Sequence, residues 1–332
     1  MKKTATIILK IAVSLGLYIY IFSKVDVGHL WEILKDASIY YFVAGVLIYF
    51  FIQALSAYRW YLLLRPLGLE SSYKKLLSYY LLGMFFNFFL PTAIGGDVVR
   101  VFYLRKDTGT LSKSGASVFL DRNLGMAALL LIATLAALLA GTSFKGVPLA
   151  PVFGLVVIAF IAANMVLFYR PTYNLLHRLL DIFRMKKAEE KVEKLFLSIN
   201  CYRSEHKLLF VTMILSIVIQ VGCIVINKLS ADAIGMQRAS WVDFSVFIPA
   251  IGLISMMPIS VNGMGWREFS YIVLFGSVGV PEPKAAALAF LWLGVLVVTS
   301  LPGGIIYLFG GNGRKEDLPT GDILEAKQQI SG

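Results

Sequence analysis

Apolar residues gather into long runs along this chain, each ended by a short basic or glycine-rich interval. Six runs approach the roughly 20 residues that cross about 30 Å of hydrocarbon. They are Ile7 to Phe22, Ile39 to Leu64, Val118 to Ala140, Leu149 to Tyr169, Leu208 to Leu229 and Ala285 to Leu308. Each predicts a membrane-crossing helix. Between the first two, Val27, Leu30, Ile33 and Leu34 recur at helical spacing within Asp26 to Asp36. That spacing predicts a short amphipathic helix lying on the outer surface.

Two further apolar segments are interrupted. Tyr73 to Leu90 ends at Pro91-Thr92-Ala93-Ile94-Gly95-Gly96-Asp97, with Arg100, Arg105 and Lys106 just beyond. Trp241 to Met257 ends at Pro258-Ile259-Ser260-Val261-Asn262-Gly263-Met264-Gly265-Trp266-Arg267-Glu268, and Phe269 to Val280 is too short to span alone. Proline and paired glycine break helices, and a break at membrane depth is tolerated only against protein or a water-filled cavity. Both segments are therefore expected to be re-entrant hairpins. Pro91, Gly96 and Arg100 match Pro258, Gly263 and Arg267 at one constant offset, and a spanning helix precedes and follows each break. The expected architecture is all-α and polytopic: six full spans and two broken hairpins in an inverted repeat, residues 38–140 against 208–310. Residues 1–37 precede the repeats, 149–207 connect them and 311–332 form a cytoplasmic tail, all within one integral-membrane domain. Chance recurrence of Pro and Gly, serving only tight packing, is the competing explanation. If the repeat is real, its broken helices point to the binding site.

Composition agrees with the pattern. The chain is 58% apolar and only 15% charged, against about 25% charged in soluble proteins. Its net charge of +11 comes with no nucleic-acid recognition motif, so the positive-inside rule accounts for it better than a nucleic-acid partner does. Of 31 Lys and Arg residues, only Lys24, Lys35, Lys145, Lys228, Arg238, Arg267 and Lys284 fall on the outer side of the predicted topology. That asymmetry predicts a protein of the cytoplasmic membrane with both termini on its cytoplasmic side. Met1-Lys2-Lys3 before the first run has the shape of a signal sequence, without a convincing cleavage site, so an uncleaved first helix is expected. Cys201 in a basic loop and Cys223 in an apolar run are not expected to pair.

Candidate chemistry clusters at the breaks. Asp97 and Arg100 share a helical face behind Gly95 and Gly96. A half-helix starting there offers free N–H groups and a positive dipole end, and Arg100 adds a fork that suits phosphate. Alternatively, Asp97 is an N-cap and Arg100 an interfacial anchor. Asp121, Arg122 and Asn123 lie within a spanning run, where ionisable groups are costly and need partners. Asp121 and Arg122 are adjacent and point apart, so each needs its own partner, and Arg100 could serve Asp121. Arg267 and Glu268 follow the second break, where Arg267 occupies the position equivalent to Arg100. Asn87 and Asn262 can bond backbone groups freed by the breaks. Arg59 reads better as a snorkelling anchor than as a ligand. No metal, nucleotide or serine-hydrolase motif appears, so neither cofactor nor metal is expected.

Taken together, Phe85-Phe86-Asn87-Phe88-Phe89-Leu90-Pro91, Gly95-Gly96-Asp97-Val98-Val99-Arg100, Ser117-Val118-Phe119-Leu120-Asp121-Arg122, Asn262 to Glu268 and Pro302-Gly303-Gly304 give the chain a resemblance. It resembles a flippase-like membrane family related to the transmembrane region of lysylphosphatidylglycerol synthases. In the two-part synthases of that family, the membrane region looks like a lipid translocator fused to a soluble aminoacyl-transfer domain. This sequence ends soon after its last predicted helix, so the resemblance implies binding or translocation of a lipid without its synthesis. Some stand-alone relatives resemble proteins associated with polyprenyl-linked sugars.

The leading expectation is a non-enzymatic, transporter-like protein. It would hold a phospholipid or polyprenyl-linked headgroup between the repeats on Arg100, Arg122 and Arg267. Asp97, Asp121 and Glu268 would balance those charges or bind a cationic headgroup. The alternatives are an integral-membrane glycosyl- or acyl-transferase, with Asp97 or Asp121 as base, and a scaffold whose basic 170–207 segment docks a cytoplasmic protein. A homo-oligomer is compatible with each.

Overall fold

The computed structural model describes residues 2–90, 95–141, 143–144, 146–182 and 186–309. Met1, Pro91 to Ile94, Lys145 and the tail 310–332, which entered the expectations above, lie outside the described residues.

The molecule is built from α-helices. α1 (Lys2–Lys24) leads into α2 (Val27–Lys35), which turns 89° away from it. Asp26 caps α2 by accepting the His29 N–H, and Leu30 is buried while Val27 and Trp31 stay exposed. The expected helix is present, with Leu30 buried and Ile33 and Leu34 packed beside it, whereas Val27, expected on the same apolar face, is exposed. α3 (Ile39–Leu64) has the bounds set by its apolar run. α4 (Tyr73–Asn87) and α5 (Gly95–Thr108) pack along each other as a hairpin, followed by α6 (Leu111–Ala140). A two-residue β-hairpin, Ser143–Phe144 with Val147–Pro148, leads to α7 (Leu149–Phe168). α8 (Arg170–Ile182) and α9 (Lys186–Asn200) make up most of the basic segment, and α9 folds back on α6 and α7, burying Phe196 and Ile199. The Tyr202 hydroxyl donates to the Leu63 carbonyl, and burial pushes its phenol pKa up, which keeps the donor protonated. α10 (His206–Ala233), the hairpin of α11 (Trp241–Met256) and α12 (Trp266–Gly276), and α13 (Glu282–Phe309) complete the described residues.

Among the described residues four helices, α3, α6, α10 and α13, are each long and apolar enough to cross a membrane. The total reaches six if each of the bent pairs α1–α2 and α7–α8 makes one span. Large apolar side chains such as Leu139, Leu155, Ile158 and Phe210 stand exposed on their outer faces, as lipid contact requires and water does not permit at this density.

Elements of the two halves pack in matching ways. α3 lies against α10, with Gly45 near Ile226, Ile52 near Gly222 and Arg59 bonded to Ser216. The partners step in opposite directions, so these two helices run antiparallel. α4 packs on α13 and α11 on α6; α5 packs on α6 and α12 on α13; α3 packs on α4 and α10 on α11. Small residues permit the close approaches. A Cβ on Gly303 would overlap the Leu81 carbonyl, and one on Gly304 would come within 2.7 Å of the Phe85 ring.

Candidate functional site

The first hairpin closes through two glycines. A Cβ on Gly83 would sit 2.7 Å from the Gly96 carbonyl, and one on Gly96 would overlap the Gly83 carbonyl and the Asn87 amide. Backbone therefore meets backbone. Asn87 turns back across the break, and its Oδ1 accepts the Gly96 N–H at 2.7 Å. That side chain takes up a helix-start donor that would otherwise face the interior unpaired.

Behind this tip runs a chain of ion pairs. Arg122 contacts Asp97. Asp97 accepts from Arg100 at 3.3 Å, and Arg100 donates to Asp121 at 2.8 Å. Asp121 also accepts from Arg59 Nε at 2.8 Å, and Arg59 donates to Ser216 Oγ at 2.7 Å. α3, α5, α6 and α10 thus meet at one buried network. The Arg100 guanidinium lies between the Trp60 and Tyr80 rings, 4.2 and 4.1 Å from their centroids. Such stacking contributes about 0.5–2 kcal/mol, while burying a charge costs several. The carboxylates, not the rings, hold Arg100 in place.

The second hairpin is built differently. Helix α11 ends at Met256, a single 3-10 turn covers Val261–Gly263, and α12 starts at Trp266. Asn262 has φ 49° and Gly263 φ 75°, a left-handed pair that reverses the chain. Ser255 packs against Gly263, where a Cβ would come within 3.0 Å of the Ser255 carbonyl. Glu268 accepts the Gly265 N–H at 2.7 Å and two bonds from Arg267, at 2.6 and 3.0 Å. Helix α1 straps this tip, because Ser14 Oγ accepts the Val261 N–H at 3.0 Å.

The two tips face one cavity of about 240 Å³. Asn87 and Phe88 of the first tip line it, as do Asn262, Met264 and Arg267 of the second. Arg122 of α6, Ser255, Met84 and Tyr49 complete much of the wall. At about 30 Å³ per water, this space takes roughly eight waters or one phosphate-sized group with a small substituent.

The eleven candidate residues divide. Asn87, Arg122, Asn262 and Arg267 line the cavity, whereas Gly95, Gly96, Asp97, Arg100, Asp121, Gly263 and Glu268 do not. Three expectations need correction. Arg100 does not reach the cavity wall: it is 4% exposed, and its two Nη atoms bond Asp97 and Asp121. One donor at the start of each half-helix is already taken, since Asn87 accepts the Gly96 N–H and Glu268 the Gly265 N–H. Arg59 does not snorkel: it is buried at one end of the network, between Asp121 and Ser216. One signal for Arg59 was present in the sequence. Gln53, Ser56, Arg59 and Trp60 recur at helical spacing in an otherwise apolar helix, and all four are buried.

Comparisons with known proteins follow the same lines. The pattern of the lysylphosphatidylglycerol synthase TM region matches residues 7–303. A UPF0104 membrane protein of Pyrococcus horikoshii is 26% identical over 301 residues, covering 83% of this chain and 89% of that protein. No solved structure matches. The chain is a multi-pass membrane protein and belongs to the family of the lysylphosphatidylglycerol synthase transmembrane region.

Proposed function

We propose that this protein binds the phosphate-bearing headgroup of a lipid in the cavity between the hairpin tips and carries it across the cytoplasmic membrane. The observation that carries the reading is the cavity itself. It presents two guanidiniums, two amides and two hydroxyls among methionine and aromatic side chains, a donor-rich pocket inside an apolar body. Arg122 comes from one half of the chain and Arg267 from the other. The matched packing of the halves, and the antiparallel course of α3 and α10, support an inverted repeat whose halves rock about this point. The distribution of Lys and Arg supports termini on the cytoplasmic side.

The transferase alternative draws no support from the carboxylates. Asp97, Asp121 and Glu268 are each bonded to arginine and lie off the cavity wall, so none is placed as a general base. The test is transbilayer movement of fluorescent phospholipids and a polyprenyl phosphate in proteoliposomes, with mass spectrometry of the recovered lipid. Movement of intact lipid, reduced about tenfold or more by Arg122→Gln and by Arg267→Gln, is expected. Covalently altered lipid, or movement indifferent to both variants, contradicts the proposal.

A further inference from the structure

The hairpin tips are apolar on the outside. No charged residue lies between Lys75 and Asp97, or between Asp243 and Arg267. Phe89 is 66% exposed on the first tip, and Met257, Pro258 and Ile259 form an exposed run on the second. Met256 belongs to both surfaces: it lines the cavity and is 38% exposed. The cavity therefore reaches the outside of the molecule beside a rim of apolar side chains. Helix α4 starts at exposed Lys74 and Lys75, and α11 follows exposed Arg238 and Ser240. With 15 and 16 residues, these helices run about 22 and 24 Å, short of the roughly 30 Å of hydrocarbon. The rim thus lies at membrane depth. Irregular backbone there can meet lipid only if its polar groups are bonded internally. The exposed turns meet this condition for their N–H groups. Phe88 donates to the Phe85 carbonyl at 3.2 Å, and Phe89 and Leu90 donate to the Phe86 carbonyl at 3.1 and 2.9 Å. Met257 donates to Ile254 at 3.1 Å, Ile259 donates to Met257 at 2.8 Å, and Pro258 has no N–H. Turns facing water do not need this, since water supplies the partner.

We infer that the cavity opens sideways into the hydrocarbon of the bilayer, past Met256 between the two hairpin tips, and so takes an amphiphile whose headgroup enters while its tails stay in the membrane. The headgroup half of this rests on the reading proposed above; the opening does not. The volume agrees: about 240 Å³ holds a phosphate-sized group and a small substituent, which leaves the tails outside. Guanidiniums and amides on the wall stand behind an apolar rim, the same order in which a lipid presents headgroup and tail. A phosphate ester without a tail gains nothing from that rim.

The test attaches a nitroxide to the full-length protein in liposomes, in a Cys201→Ser, Cys223→Ala background whose melting temperature matches the native protein. Labels are placed through Phe89→Cys and Met257→Cys on the tips. Leu155→Cys on the exposed face of α7 is the lipid control, and Ser204→Cys in the exposed turn before α10 is the water control. Relaxation by oxygen, which concentrates in hydrocarbon, is compared with relaxation by a nickel chelate that stays in water. Both tip labels are expected to follow Leu155, with oxygen the stronger relaxant, while Ser204 shows the reverse order. Met256→Trp, which fills the opening, is expected to abolish phospholipid movement in proteoliposomes at an unchanged melting temperature. Nickel outweighing oxygen at either tip overturns the sideways opening and leaves the headgroup reading standing. Undiminished movement through a folded Met256→Trp protein does the same. Tip labels that follow Leu155 in a protein that neither binds nor moves any lipid uphold the opening and overturn the headgroup reading.

Discussion

Asp121 is the residue on which most of the buried network converges. It is 1% exposed and accepts from both Arg59 and Arg100. Removing its charge leaves two guanidiniums without their main partner in a low-dielectric interior. Breaking a buried pair from one side costs about 3–5 kcal/mol. Asp121→Asn is therefore expected to lower the melting temperature in detergent far more than a substitution at an exposed ion pair such as Lys75–Asp107, which contributes about 0–1 kcal/mol. Similar melting of the Asp121→Asn and Lys75→Gln proteins would sink this account of the network. The adjacent Asp121 and Arg122 show what sequence could and could not tell. Their helical spacing required them to point apart, and they do: Asp121 enters the network and Arg122 lines the cavity. Which of them faced the cavity was not legible, because that depends on where α5 and α12 dock.

At the scale of elements, the hairpins stand on glycine contacts. Gly96→Ala places a methyl against the Gly83 carbonyl and the Asn87 side chain, and neither backbone can yield without parting α4 from α5. Overpacking of this kind costs about 1–3 kcal/mol or more. Gly115, on α6, has open space around its Cβ position, so Gly115→Ala should be neutral or gain up to about 1 kcal/mol of helix propensity. Thermal unfolding of the two proteins side by side decides this, and equal effects would refute the close-packing argument. The spanning runs and both breaks were legible because they depend on local hydropathy and on Pro and Gly. α3 took the bounds of its apolar run, and α12 proved as short as its sequence implied. Arg59 was misread for the same reason. Hydropathy places a basic residue near a helix end at the interface, and the partners that keep it inside come from α6 and α10, far away in sequence.

At the scale of the whole molecule, the claim is that two tips, brought together from distant parts of the chain, make one site. Asn87 and Asn262 line the same cavity, so joining Asn87→Cys to Asn262→Cys with a short bifunctional reagent should fix the tips and stop lipid movement, with recovery on cleavage of the linker. Full movement through a cross-linked protein would rule out rocking about this point. The most direct measurement places a photoreactive amino acid at Met264 in the cavity and, as a control, at the exposed Leu155 of α7. Captured lipid is then identified by mass spectrometry. Capture of a phosphate-containing lipid at Met264, lost on Arg267→Gln while capture at Leu155 persists, is the predicted result. Capture at Leu155 alone, with none at Met264 in the otherwise native protein, would contradict a headgroup site between the hairpin tips.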